Sequence, residues 1–129
     1  MPMDARQLAL RCRELAENRK AEDIVVLDLR KLSSITDYFV IATGTSEPHL
    51  RAIVEEVTDK VREEYGLRPN GTEGSWQASW VVIDYFDVIV HIMHPDARER
   101  YGLEQLWGDA PRVSAPPPPP RPARTTPNS

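Results

Sequence analysis

Asp84 and Asp87 flank Tyr85-Phe86 in an otherwise apolar stretch. Paired carboxylates can converge on a metal for nucleotidyl transfer. That chemistry also needs a grip on a triphosphate, and no glycine-serine phosphate grip precedes these acids at a suitable spacing. His91 and His94 are three apart, and residues three apart on a strand point to opposite faces, so both could ligate one metal only if the strand ended between them; no cysteine lies near His49. A histidine metal site is therefore not expected. Gly44-Thr45-Ser46 joins a predicted strand to a predicted helix, where free N–H groups could hold an anion. It lacks the lysine and spacing of a phosphate loop and the three glycines of a dinucleotide fold, so it reads as a helix cap. The serines sit at turns and caps, away from any nucleophile-elbow pattern. With no cofactor or catalytic set expected, the informative side chains are aromatic: Trp76, Trp80, Tyr85, Phe86, Tyr101 and Trp107. Aromatics anchor protein interfaces. Trp107, with Leu103 and Leu106, reads as packing a last helix down, which leaves Trp80, Tyr85 and Tyr101 as the better contact candidates.

The elements that must position them follow from periodicity. Ala5, Leu8, Ala9, Cys12, Leu15 and Ala16 form one apolar stripe and predict a helix over 4–19. Cys12 lies on that stripe and reads as core. Ile24–Leu29 is a short apolar run rich in branched residues and predicts a strand buried on both faces. Arg30–Asp37 is too short for a helical crossover, and Tyr38–Thr43 predicts a second strand. A helix then runs from a Ser46 cap to about Tyr65 on the stripe Leu50, Ile53, Val54, Val57 and Val61, closed by Gly66. Arg68–Ser79 reads as a loop, Trp80–Asp84 and Asp87–Met93 as strands, and Pro95 opens a third helical stretch. The expected fold is a single α/β domain over 1–110, a mixed sheet with packed helices, followed by a disordered proline-rich tail over 111–129. A helix joins the second strand to the third, which predicts that those two are parallel.

A two-residue turn at Tyr85-Phe86 would set Asp84 opposite Asp87, Val82 opposite Ile89 and Trp80 opposite His91. The other face would pair Val81 with Val90 and Ile83 with Val88, an aliphatic set assigned to the core. The first face mixes an aromatic, a histidine and two opposed carboxylates, whose repulsion a basic partner would relieve.

Composition agrees with a partner of that kind. The 129 residues carry a net charge of −4. The last sixteen, Ser114–Ser129, hold seven of the twelve prolines, two arginines and no acid, so the remainder carries −6. An acidic body suits a basic protein and disfavours direct nucleic-acid contact. One cysteine excludes an intrachain disulfide. The apolar runs are far short of a membrane span, and the charged first thirteen residues predict no secretory signal, so the expected location is cytoplasmic.

At these residues the chain resembles the ribosomal silencing factor (RsfS, or Iojap-like) family. The matching segments are 37–46 (DYFVIATGTS), Glu73-Gly74, 80–85 (WVVIDY), 87–92 (DVIVHI), Arg98, Tyr101 and 103–107 (LEQLW), within roughly residues 4–110. The resemblance implies a mixed α/β domain of nucleotidyltransferase-like topology without the catalytic constellation. It implies a translational repressor that binds the large ribosomal subunit through ribosomal protein fourteen and sterically blocks subunit association. Carried onto this chain, the contact surface comprises Trp80, Asp84, Asp87, Arg98, Tyr101, Glu73 and Tyr85. Phe86 stands where the family often has glycine. Two alternatives use the same residues: a large-subunit assembly factor, and an enzyme of nucleotidyl-transferring type. A homodimer through the hairpin edge or the Trp76 loop is a further expectation.

Overall fold

The computed structural model describes residues 4–75 and 79–113. Helix α1 spans Ala5–Asn18 and begins in a reciprocal capping box, with Asp4 accepting from the Gln7 amide and the Gln7 side chain accepting from the Asp4 amide. Helix α2 spans Glu47–Tyr65, starts where Ser46 Oγ accepts the His49 N–H at 3.2 Å, and ends at Gly66 with φ +69°. The two predicted stripes are the buried faces of these helices. Arg11, bonded to Glu64, and Arg19, bonded to Glu56, tie the helices together along their outer seam.

Five strands form one sheet: β1 (Glu22–Asp28), β2 (Tyr38–Thr43), β3 (Gly71–Ser75), β4 (Trp80–Asp84) and β5 (Val88–Met93), in the order β1-β2-β5-β4-β3. β2 and β5 are parallel, and the other neighbours are antiparallel. Alternation sorts the side chains onto two faces. Val40, Ala42, Val81, Ile83, Val90 and Ile92 pack with α1 and α2. Phe39, Ile41 and Met93 face the other way, toward α3 (Pro95–Tyr101), α4 (Leu103–Leu106) and Ala110.

Four expectations are corrected. The second and third predicted strands are not parallel neighbours: β5 lies between β2 and β4, takes the parallel pairing itself, and is antiparallel to β4. The predicted loop over Arg68–Ser79 contains β3, an edge strand with no apolar alternation, held by main-chain pairing to β4. Within it Gly74 has φ +112°, and a Cβ there would collide with the Trp80 carbonyl oxygen. The turn is one residue further along than expected. The Tyr85 N–H bonds to the Val88 carbonyl, so Phe86 and Asp87 form the turn, and Asp84 opposes Ile89 rather than Asp87. The physical reason is burial: the longer hairpin places Tyr85 in the core at 7% exposure. Finally, β1 begins two residues earlier than expected and is an edge strand, so Ile24, Val25 and Asp28 are only half-buried and the strand is not buried on both faces along its length.

Residues 111–113, expected in the tail, lie along β1. The Asp28 N–H bonds to the Pro111 carbonyl, the Val113 N–H bonds to the Val26 carbonyl, and Leu27 bridges to Arg112. The rest of the predicted tail and Trp76 lie outside the described residues.

Phe86 has φ +69°, its N–H is held by Asp84 Oδ1 at 2.7 Å, and its ring is 65% exposed. A left-handed conformation without glycine is strained by about 1 kcal/mol. Phe86→Gly should therefore raise stability by about that amount in urea denaturation. A lower midpoint would show that contacts of the exposed ring outweigh the strain.

Candidate protein-interaction site

Trp80, half-buried at the start of β4, donates its indole N–H to His91 Nδ1 at 3.1 Å. Tyr101 lies against it from the end of α3, with ring centroids 4.6 Å apart. His91 stands edge-on to Phe39 at 4.5 Å, and Phe39 meets Trp107 at 6.1 Å. The result is one row of rings, exposed at Tyr101, buried at His91 and Phe39, and half-buried again at Trp107.

What holds Tyr101 over the sheet is α3. His94 caps this helix, its Nδ1 accepting the Asp96 N–H at 3.2 Å, and Pro95 fits the first turn. Gly102, at φ +56°, ends it and turns the chain into α4. Arg98 anchors the pair. Its Nε donates to Glu104 Oε1 at 2.8 Å, and its Nη1 donates to Thr43 Oγ1 at 2.7 Å, at the end of β2. Glu104 also meets Arg112. The Arg98 hydrogen bond, helped by the charges of Arg98 and Arg112, holds the Glu104 carboxyl below its usual range.

The seven sequence-predicted residues thus fall into distinct places. Trp80 and Asp84 lie on one sheet face, which Glu73, paired with Val82, shares from β3. Tyr101 lies over that face. Asp87 is exposed at the turn, and its carbonyl accepts the Asp37 and Tyr38 N–H groups at 3.0 Å. Arg98 is turned inward into its ion pair, with its side chain 12% exposed. Tyr85 points to the opposite face, in the core against α1 and α2. Its hydroxyl is buried without a partner among the described residues, and burial pushes its pKa up. Burial likewise pushes the Cys12 thiol up to about 12, which keeps it protonated and inert.

Sequence reasoning placed Trp80 and His91 on one face but missed Phe39, Thr43 and Glu104. Phe39 sits in a run that is apolar at nearly every position, so no polar alternation marks its face. Glu104 lies across the Gly102 break from Arg98, beyond any helical spacing.

Asp84 braces its own turn, and His91 and His94 hold different elements, His91 the indole and His94 the start of α3. Among the described residues no three His, Cys, Asp or Glu side chains are grouped to hold a metal, and no helix is long and apolar enough to cross a membrane. Fold and site define a small α/β domain that presents a tryptophan and a tyrosine on a sheet face with acids beside them.

Sequence comparison gives this class its family. The profile described as "Ribosomal silencing factor during starvation" matches residues 2–129. A ribosomal silencing factor from Halalkalibacterium halodurans is 46% identical over 97 residues, which cover 75% of this chain and 82% of that one. The mouse protein named for mitochondrial assembly of the ribosomal large subunit is 34% identical over 98 residues, covering 72% of this chain and 42% of its own. A crystal structure of a Chromobacterium violaceum protein superposes with a TM-score of 0.78 at 36% identity, covering 82% of this chain and 88% of that one. The chain belongs to the ribosomal silencing factor family.

Burial pushes the His91 pKa down to about 4, against about 6.5 in an unfolded chain. Between those values the unfolded state takes up a proton that the folded state refuses. Stability is therefore full above pH 6.5 and falls as the pH drops toward 4. From pH 7 to pH 5 the loss due to His91 should be about 2 kcal/mol. Urea titrations of wild type and His91→Phe at both values check this: the variant should lack that increment, and equal slopes would refute the assignment.

Proposed function

We propose that this protein is a non-enzymatic translational repressor. It docks on the large ribosomal subunit through ribosomal protein fourteen and prevents the small subunit from joining. The observation that carries the reading is the Trp80–Tyr101 pair, seated on a sheet face with Asp84 and Glu73 beside it. Half-exposed aromatic anchors supply most of the energy of such contacts, and neighbouring carboxylates favour a basic protein surface. Family membership supports the ribosome as the place where that surface is used. Repression then requires no chemistry, because a bound body occupies volume that the incoming subunit needs. The working location is the cytoplasm, where ribosomal subunits meet.

Sedimentation of purified large and small subunits tests this. Wild-type protein should migrate with large subunits and reduce the yield of complete particles. Trp80→Ala and Tyr101→Ala should remain folded and lose binding by roughly ten-fold or more. Unchanged co-migration of both variants, or an unchanged yield of complete particles at saturating protein, refutes the proposal.

A second reading is favoured by the name of the mouse relative, which refers to assembly of the large subunit. The same surface would then serve maturation of the particle. Immature large subunits accumulating in a deletion strain, with subunit joining unaffected by added protein, would select it.

A further inference from the structure

His91 is an expensive residue where it stands. An indole N–H can only donate, so His91 Nδ1 must be the unprotonated nitrogen, and the neutral ring carries its hydrogen on Nε2. That Nε2 is buried and has no hydrogen-bond partner among the described residues. The residue is 6% exposed, lies edge-on to Phe39, and is flanked on β5 by Val90 and Ile92. A phenylalanine of similar shape would fill the same space without an unsatisfied buried donor. Histidine is thus the less stable choice at this position. What it supplies, and an apolar ring could not, is an acceptor aimed at Trp80.

The indole needs that acceptor. Trp80 begins β4 half-buried, next to a backbone turn at Ser79 with φ +61°. One side of its ring is met by Tyr101, which is itself 48% exposed, so stacking alone leaves the pair partly in water. The bond to His91 fixes the indole from the buried side. It sets the ring plane, tilted 40° to both His91 and Tyr101.

We infer that His91 is a positioning residue for the interaction surface: it makes no contact with the partner, but holds Trp80 in the orientation in which Trp80 and Tyr101 are presented together. This rests on the reading of that surface as the ribosome-docking site. A side chain already fixed before binding loses less freedom on binding, so the effect of His91 is preorganisation of the anchor. Stability and function then diverge at one position, because the substitution that relieves the buried donor also releases the tryptophan.

The test uses the full chain labelled with ¹⁵N. The chain has three tryptophans, and the indole resonance of Trp80 is assigned by its disappearance in Trp80→Phe. In His91→Phe the fold should be retained with equal or higher thermal stability. The Trp80 indole N–H should move upfield and exchange faster with water, and affinity for purified large subunits should fall roughly three- to ten-fold. His91→Asn, whose Oδ1 takes the place of Nδ1, should return the indole resonance and the binding toward wild type. A merely structural role predicts the reverse order, with the better-packed phenylalanine variant binding best. An unmoved indole resonance in His91→Phe overturns the inference in the free protein. Wild-type binding by His91→Phe beside weakened Trp80→Ala overturns it at the ribosome. Wild-type binding by Trp80→Ala as well would sink the docking surface itself, while the indole resonance would still report whether His91 holds the ring.

Discussion

β2 and β5 lie side by side and parallel at the middle of the sheet, and every residue of β2 is buried. A strand pair in that position must be covered on both faces. The long helices α1 and α2 cover one. Among the described residues the other is covered by the short α3 and α4 and by the chain near Ala110. This imbalance makes the site. The thin layer reaches Phe39, Ile41 and Met93 and leaves Val82 and Asp84 half-open on β4, with Trp80 on the boundary. A thicker layer would bury the tryptophan outright, and none at all would leave Ile41 and Met93 in water.

A layer so small has little apolar area of its own to hold it, and Arg98 compensates. The guanidinium joins the start of α4, through Glu104, to the end of β2, through Thr43. Ion pairs in such half-buried positions contribute less by net energy than by admitting a single arrangement. Here that arrangement sets where Tyr101 falls. The family resemblance counts Arg98 within the contact surface, whereas the geometry shows its side chain turned inward, shaping the surface from behind. Tyr85 has a comparable place on the other face, where it fills core between the hairpin and the helices.

Much of this was legible from periodicity. The stripes of α1 and α2 are their buried faces, residue for residue apart from Ala5, which is only partly buried. The hairpin faces survived an error in the turn because the register moved by two residues, and side chains alternate with a period of two, so no residue changed sides. What the chain could not disclose was adjacency. That β5 enters between β2 and β4 depends on contacts between distant segments, and nothing local distinguishes β5 from β4. β3 was invisible for a different reason. Gly71-Thr72-Glu73-Gly74-Ser75 has no strand preference and is extended only because β4 offers it a ladder. The Trp80–His91 pairing was half legible: the shared face followed from parity, while the hydrogen bond required the true, diagonal offset.

The short stretch from Pro111 to Val113 has an outcome for solubility. Its bonds to Asp28 and Val26 occupy the outer rim of β1, the side on which a sheet can recruit a foreign strand and polymerise. At the opposite rim, β3 carries the left-handed Gly74 and an exposed acid, a poor template for further growth. Backbone recruitment is thereby hindered at both borders of the sheet, one partly occupied and the other distorted, while a tryptophan and a tyrosine stay partly in water.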